Sequence, residues 1–259
     1  MATVNERTWI KMAAQEELLQ RVRQIDGWIR ALTSQAHFLD ERVHLLKPLV
    51  HDREVQAAMK AKLDQTQGVG LWNHLVPLLG QDYIRELARL FLDRGEKTGS
   101  LTNIWRKLQV AGVRDHYRGS YGRMFDDLQG EPIEGISEAT IEEGRQRERD
   151  RNMIVFDEEW ARLSVAMDQL SNDPVGQSVK TFRDKRHAHW EMQPIDQEPV
   201  PFDIGTLDLT YDGVFEFGRK CETILADLGK LLTHTHWEPS EFSEMSAEHG
   251  RALWMTLAK

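Results

Sequence analysis

Three observations predict an all-α helical bundle. Glycine and proline are sparse, at 18 and 8 of 259 residues, and β-branched runs are few, which favours helix over strand. Leu18, Val22, Ile25, Ile29, Leu32, Ala36, Leu39, Val43 and Leu46 are spaced alternately four and three residues apart, an unbroken heptad stripe on one long helix. Val214, Phe217, Cys221, Ile224, Leu228 and Leu231 repeat the same spacing near the other end. No internal repeat or low-complexity tail interrupts the pattern.

The elements follow in order. The heptad helix is expected to end at Pro48 and to serve either as a bundle helix or as a dimerisation seam. A second helical region runs from about Asp52 to Asp93, divided or kinked at Gly68-Val69-Gly70 and Pro77. Ser100 caps a short helix carrying Leu101, Ile104, Trp105 and Leu108. The stretch from Gly112 to Gly135 is glycine-rich and reads as looser. It mixes Arg114, His116, Tyr117, Arg118, Tyr121 and Arg123, either a stacking surface for single-stranded RNA or an ordinary solvated loop or short helix. Thr140 and Glu143 fit a capping box opening another long helix, which buries Phe156, Trp160, Leu163, Met167 and Leu170. Asp173-Pro174 restarts a helix. The prolines at 194, 199 and 201 mark a loop, Thr210 caps the next helix, and a last one is expected from about Glu241 to Leu257. The domain expectation is a long N-terminal helix over 1–50, a bundle over 51–236 with the looser region near 112–135 inserted, and a helical tail over 237–259.

Composition narrows the function. A net charge of −9 argues against a broadly basic nucleic-acid coat but leaves room for a local basic cleft. The single cysteine, Cys221, excludes an intrachain disulfide and a cysteine zinc cage. No apolar leader or membrane-length run is present, so a cytoplasmic protein without a membrane partner is expected. There is no phosphate-loop lysine motif, no dinucleotide fingerprint and no nucleophile elbow.

The chemistry concentrates in Arg183-Asp184-Lys185-Arg186-His187-Ala188-His189. The preceding helix turns Val175, Val179 and Phe182 to the core, and the same spacing then reaches Arg186 and His189. Buried charges are costly unless paired, so these cations must meet carboxylates, water or an anionic ligand. Arg183 and His189 lie about 120° apart on an ideal α-helix. Either the helix ends between them or two protomers contribute to one cleft. The spacing Arg-x(4–6)-His is weak by itself; Arg30 and His37 match it too, on the heptad helix and without a polar residue after the arginine. The pairs His187/His189 and His234/His236 would need non-helical backbone to chelate a metal, and no metal site is expected.

The segment Phe182-Arg183-Asp184-Lys185-Arg186-His187-Ala188-His189 resembles the active motif of HEPN domains, and most of all the bacterial abortive-infection AbiU branch. Leu87-Ala88-Arg89-Leu90-Phe91-Leu92-Asp93 followed by Gly99-Ser100-Leu101 is similar to that branch, as is Leu209-Thr210-Tyr211-Asp212. The resemblance covers about Asp52 to Thr233; Gly112 to Gly135 and the C-terminal tail lie outside it. It implies a HEPN-like bundle that forms a homodimer with two motifs in one cleft, and a metal-independent endoribonuclease without cofactor in a defence or toxin-like role, with a possible neutralising antitoxin partner. His189 would move protons near neutral pH. Arg183 would stabilise charge on the phosphate, and Asp184 would orient one of the two. Lys185, Arg186 and His187 would bind flanking RNA phosphates. The alternative is a non-catalytic RNA- or protein-binding module of the same type.

Overall fold

The computed structural model describes residues 3–64, 66–126, 137–188, 192, 200–239 and 241–259, with the backbone alone at 3–10, 187 and 188. Among these residues the chain is all-α, and the sole extended pairing is one antiparallel bridge between Met192 and Pro201.

Helix α1 (Thr3–His51) has 49 residues and so extends about 70 Å. Its stripe from Val22 to Leu46 is at most 7% exposed at every position, and Leu18 packs at its edge. Helices of the same chain cover it, so the seam is internal core rather than a free dimer face. Each side chain buried there contributes roughly 1.5–3 kcal/mol.

Helix α2 (Arg53–Leu63) opens on Asp52, whose carboxylate accepts the Glu54 and Val55 N–H groups at 2.9 and 3.1 Å. Helix α3 (Gly68–Leu87) contains Pro77 without ending there, and the Gly68-Val69-Gly70 break forms its first turn. A π-helical segment, Ala88–Leu92, then brings the chain to extended Asp93. Helix α4 (Leu101–Leu108) is capped by Ser100 as expected, Oγ accepting the Asn103 N–H at 3.3 Å.

Residues 113–122 take the short-helix alternative as α5 (Val113–Gly122), entered through Gly112 at φ +80°, a left-handed conformation that glycine adopts without strain. Helix α6 (Glu138–Ser171) is capped by Ser137 instead of Thr140; the Ser137 hydroxyl accepts the Thr140 N–H at 3.2 Å. Helix α7 (Pro174–Phe182) is capped by Asp173 and α8 (Tyr211–Thr233) by Thr210, as the sequence indicates. Helix α9 (Ser243–Leu257) ends the fold.

Helices α3, α4, α5, α8 and α9 all pack on α1, and α6 lies against α5 and α8. Helix α7 crosses α3 and α8 and touches the π segment after α3. A smaller cluster of Leu49, Val55, Met59 and Trp254 seals the end formed by α1, α2 and α9. No helix among the described residues is long and apolar enough to cross a membrane.

Pro48 does not stop α1, which continues to His51. Proline lacks the N–H that would bond the His44 carbonyl one turn back. That carbonyl is instead covered by α9, where a Cβ on Gly250 would overlap it, and Trp254 Nε1 donates to the next carbonyl, Leu45, at 2.8 Å. The proline therefore creates a docking notch. Gly250→Ala should destabilise the protein by at least about 2 kcal/mol, read by chemical denaturation followed through tryptophan fluorescence.

Glu222 on α8 is 4% exposed, and its carboxyl is pushed from the usual 4.5 up to about 8, by burial first and by Asp40 second, against the opposing charge of Lys47. The unfolded chain ionises this group near 4.5 while the folded one keeps its proton to about 8. Folded-state proton binding thus exceeds unfolded-state binding across that window, and stability falls as pH rises through it, by a few kcal/mol. Glu222→Gln should flatten this slope in denaturation curves taken between pH 5 and 8.5.

Candidate functional site

The cationic segment begins where α7 stops being α-helical. Val179 and Phe182 are buried at 0% and 2% exposure, which anchors the end of α7 in the core. From Arg183 through Ala188 the backbone winds as a π-helix. Inserted π turns are common where side chains must be re-aimed, and the 120° offset expected of a straight α-helix does not apply across this one. α-Helical winding ends at Phe182, just before Arg183.

Arg183 is partly exposed and doubly paired. Its Nε and Nη2 donate to Asp184 Oδ1 at 2.8 and 2.6 Å, and its Nη1 lies 3.5 Å from Asp93 Oδ2. Asp93 is itself fixed, since its Oδ1 accepts the Gly95 N–H at 2.9 Å and its carbonyl accepts the Ser100 hydroxyl. Two π segments, one after α3 and one after α7, are thereby joined through a single arginine. Lys185 Nζ sits 5.7 Å from the centre of the Phe202 ring, a cation–π arrangement. Arg186 is half-buried and forms no ion pair with a described residue. His189 lies outside the described residues, and the side chain of His187 does as well.

Sequence reasoning placed Arg183, Asp184, Lys185 and Arg186 together, and the structure keeps them on one short segment. It missed Asp93, about ninety residues away, although Asp93 ends a stretch already singled out. It also missed Lys180, one turn before Arg183, and Arg94; these two line a small cleft of about 30 Å³ beside the π turn with Thr102 and Gln177. On the other side of Phe182 an apolar pocket of about 280 Å³ is walled by Ile84, Leu209 and Tyr211.

Four of the cations and aromatics of residues 112–123 have partners on other helices. Arg114 and Arg118 share Asp157 at 2.7 and 2.9 Å, Tyr117 is buried and donates to Asp26 at 2.7 Å, and Tyr121 packs on Phe156. They brace α5 against α6 and α1, which favours the short-helix alternative for this stretch; residues 127–136 lie outside the description. His234, at φ +52°, lies against the Tyr121 ring. No group of three or more His, Cys, Asp or Glu side chains is arranged to hold a metal among the described residues.

Set against known families, residues 23–253 match the family model HEPN_AbiU2, described as AbiU2. No curated protein and no solved structure matches.

Proposed function

The chain belongs to the HEPN AbiU2 family, and on that premise we propose that it is a metal-independent endoribonuclease of an abortive-infection or toxin-like defence system, acting in the cytoplasm as a homodimer with its two motifs in one cleft. The observation that carries the reading is the π turn at Arg183–Ala188, which gathers Arg183, Lys185 and Arg186 at the end of a core-anchored helix. A concentration of cations in a chain of net charge −9 suits a local phosphate site better than a general nucleic-acid surface.

In this reading the RNA 2′-hydroxyl loses its proton and attacks the adjacent phosphorus. The bond to the 5′-oxygen breaks, and that oxygen leaves as a protonated hydroxyl. His189 carries protons in one or both transfers. Arg183 stabilises the charge that builds on the phosphate oxygens, while Asp184 and Asp93 hold its guanidinium until the anion arrives. Lys185, Arg186 and His187 bind neighbouring phosphates. The products are a 2′,3′-cyclic phosphate and a 5′-hydroxyl, and DNA resists because it lacks the attacking group. A defence role implies a neutralising antitoxin as partner.

One observation favours a second reading, a non-catalytic RNA- or protein-binding module. The Arg183 guanidinium already has carboxylates on two sides, which a purely structural arginine would also show. The two readings separate by mutation. For an enzyme, Arg183→Ala and His189→Ala each abolish cleavage of mixed RNA while thermal unfolding stays near wild type. Cleavage at the wild-type rate by either variant removes the assignment of these residues, and RNA binding that is merely weakened, without cleavage by wild type, establishes the module.

A further inference from the structure

A cavity of about 460 Å³ lies between α1, α3 and α8, away from the cationic motif. Its lining includes Asp40 with buried Tyr83 and Glu222. Glu222 is 4% exposed and its Oε1 has no hydrogen-bond partner. Among the described residues Asp40 accepts no side-chain hydrogen bond, and its ion-pair contact is His44 Nε2 at 3.6 Å. Both ring nitrogens of buried His44 also lack hydrogen-bond partners. Among the described residues, these three atoms are all the buried side-chain nitrogens and oxygens without a partner, and they flank the same aspartate. Folded proteins rarely leave such groups unmet, because each costs roughly 1–3 kcal/mol or more.

Among the described residues none of the lining cations, Lys47, His51 and Arg219, forms a hydrogen bond or ion pair with Glu222 or Asp40, although the charge of Lys47 acts on Glu222. His51 is committed to Asp212 at 3.0 Å, and Lys47 faces the Phe215 ring with its Nζ 5.6 Å from the centre. The acidic lining, Asp40, Asp212, Glu216, Glu222 and Glu238, outnumbers these cations, so the cavity favours a further positive charge with N–H donors. Tyr83 and Phe215 offer aromatic walls of the kind that favour organic cations. A bare metal ion fits less well, since no three candidate ligands are arranged for one among the described residues.

We propose that this cavity is a second binding site, one that takes a small organic ammonium ion with Glu222 and Asp40 as its acceptors. The site stands apart from the RNA-cleavage reading and does not depend on it. Occupation gives Glu222 Oε1 the donor it lacks and converts its carboxyl into a carboxylate–ammonium pair, with the displaced proton passing to solvent. Tyr83 also lines the apolar pocket beside Phe182, so one side chain forms a wall of both spaces.

The test is calorimetric titration of the full chain with putrescine at pH 7, against sodium and magnesium chloride at matched ionic strength. Saturable binding is expected for putrescine alone. Repeating the titration in buffers of different ionisation enthalpy should show about one proton released per putrescine bound, because Glu222 holds its proton to about pH 8 and surrenders it to the pair. Glu222→Gln and Asp40→Asn should each weaken binding at least tenfold, and Arg183→Ala should bind as wild type. Heats indistinguishable from the salt controls, binding without proton release, or undiminished binding by Glu222→Gln would each overturn the proposal. The proton count is read on wild type, so it decides the matter even where a variant fails to fold.

Discussion

Everything in this fold leans on the apolar seam of α1. A single helix about 70 Å long is not stable alone, and its hydrophobic stripe must be covered. The chain covers it with its own later helices. That requirement fixes α3 and α8 side by side on α1, and α7 then crosses them. Because Val179 and Phe182 are driven into that crossing, the residues that follow emerge at a fixed place, where Asp93 can reach Arg183. The cationic segment is thus positioned by packing that begins at the opposite end of the sequence.

Periodicity made the seam and the α8 stripe legible, because burial on one helix face repeats every three or four residues whatever the partner is. Local caps were legible for the same reason at Ser100, Asp173 and Thr210, where the capping side chain and its N–H are three residues apart or closer. Thr140 misled because Ser137 lies three residues earlier with the same chemistry. Pro48 misled for a different reason. The carbonyl it leaves unbonded is met by Gly250, some two hundred residues later, and no local pattern carries that information.

The candidate site divides along the same line. Dense charge after a core-facing turn marked Arg183 to Arg186, and the likeness to a known motif drew attention to Asp93 without giving its role. The aromatic and basic residues of α5 left a ligand surface open as an alternative because their partners, Asp26 and Asp157, lie on other helices. Asp40 and Glu222 went unnoticed because each is adjacent to a stripe residue, Leu39 and Cys221, at a position off the a and d stripe. Only the assembled bundle turns both into one cavity.

The proposed function rests on a net-negative chain that clusters Arg183, Lys185 and Arg186 at one re-wound helix end. The most direct test of its central claim is to incubate purified protein with mixed RNA in EDTA and to analyse the new termini by mass spectrometry, with the same sequences in 2′-deoxy form alongside. The account predicts RNA fragments ending in 2′,3′-cyclic phosphate and intact deoxy strands. RNA left whole, cleavage that appears only when a divalent metal is restored, or equal cutting of the deoxy strands would contradict it.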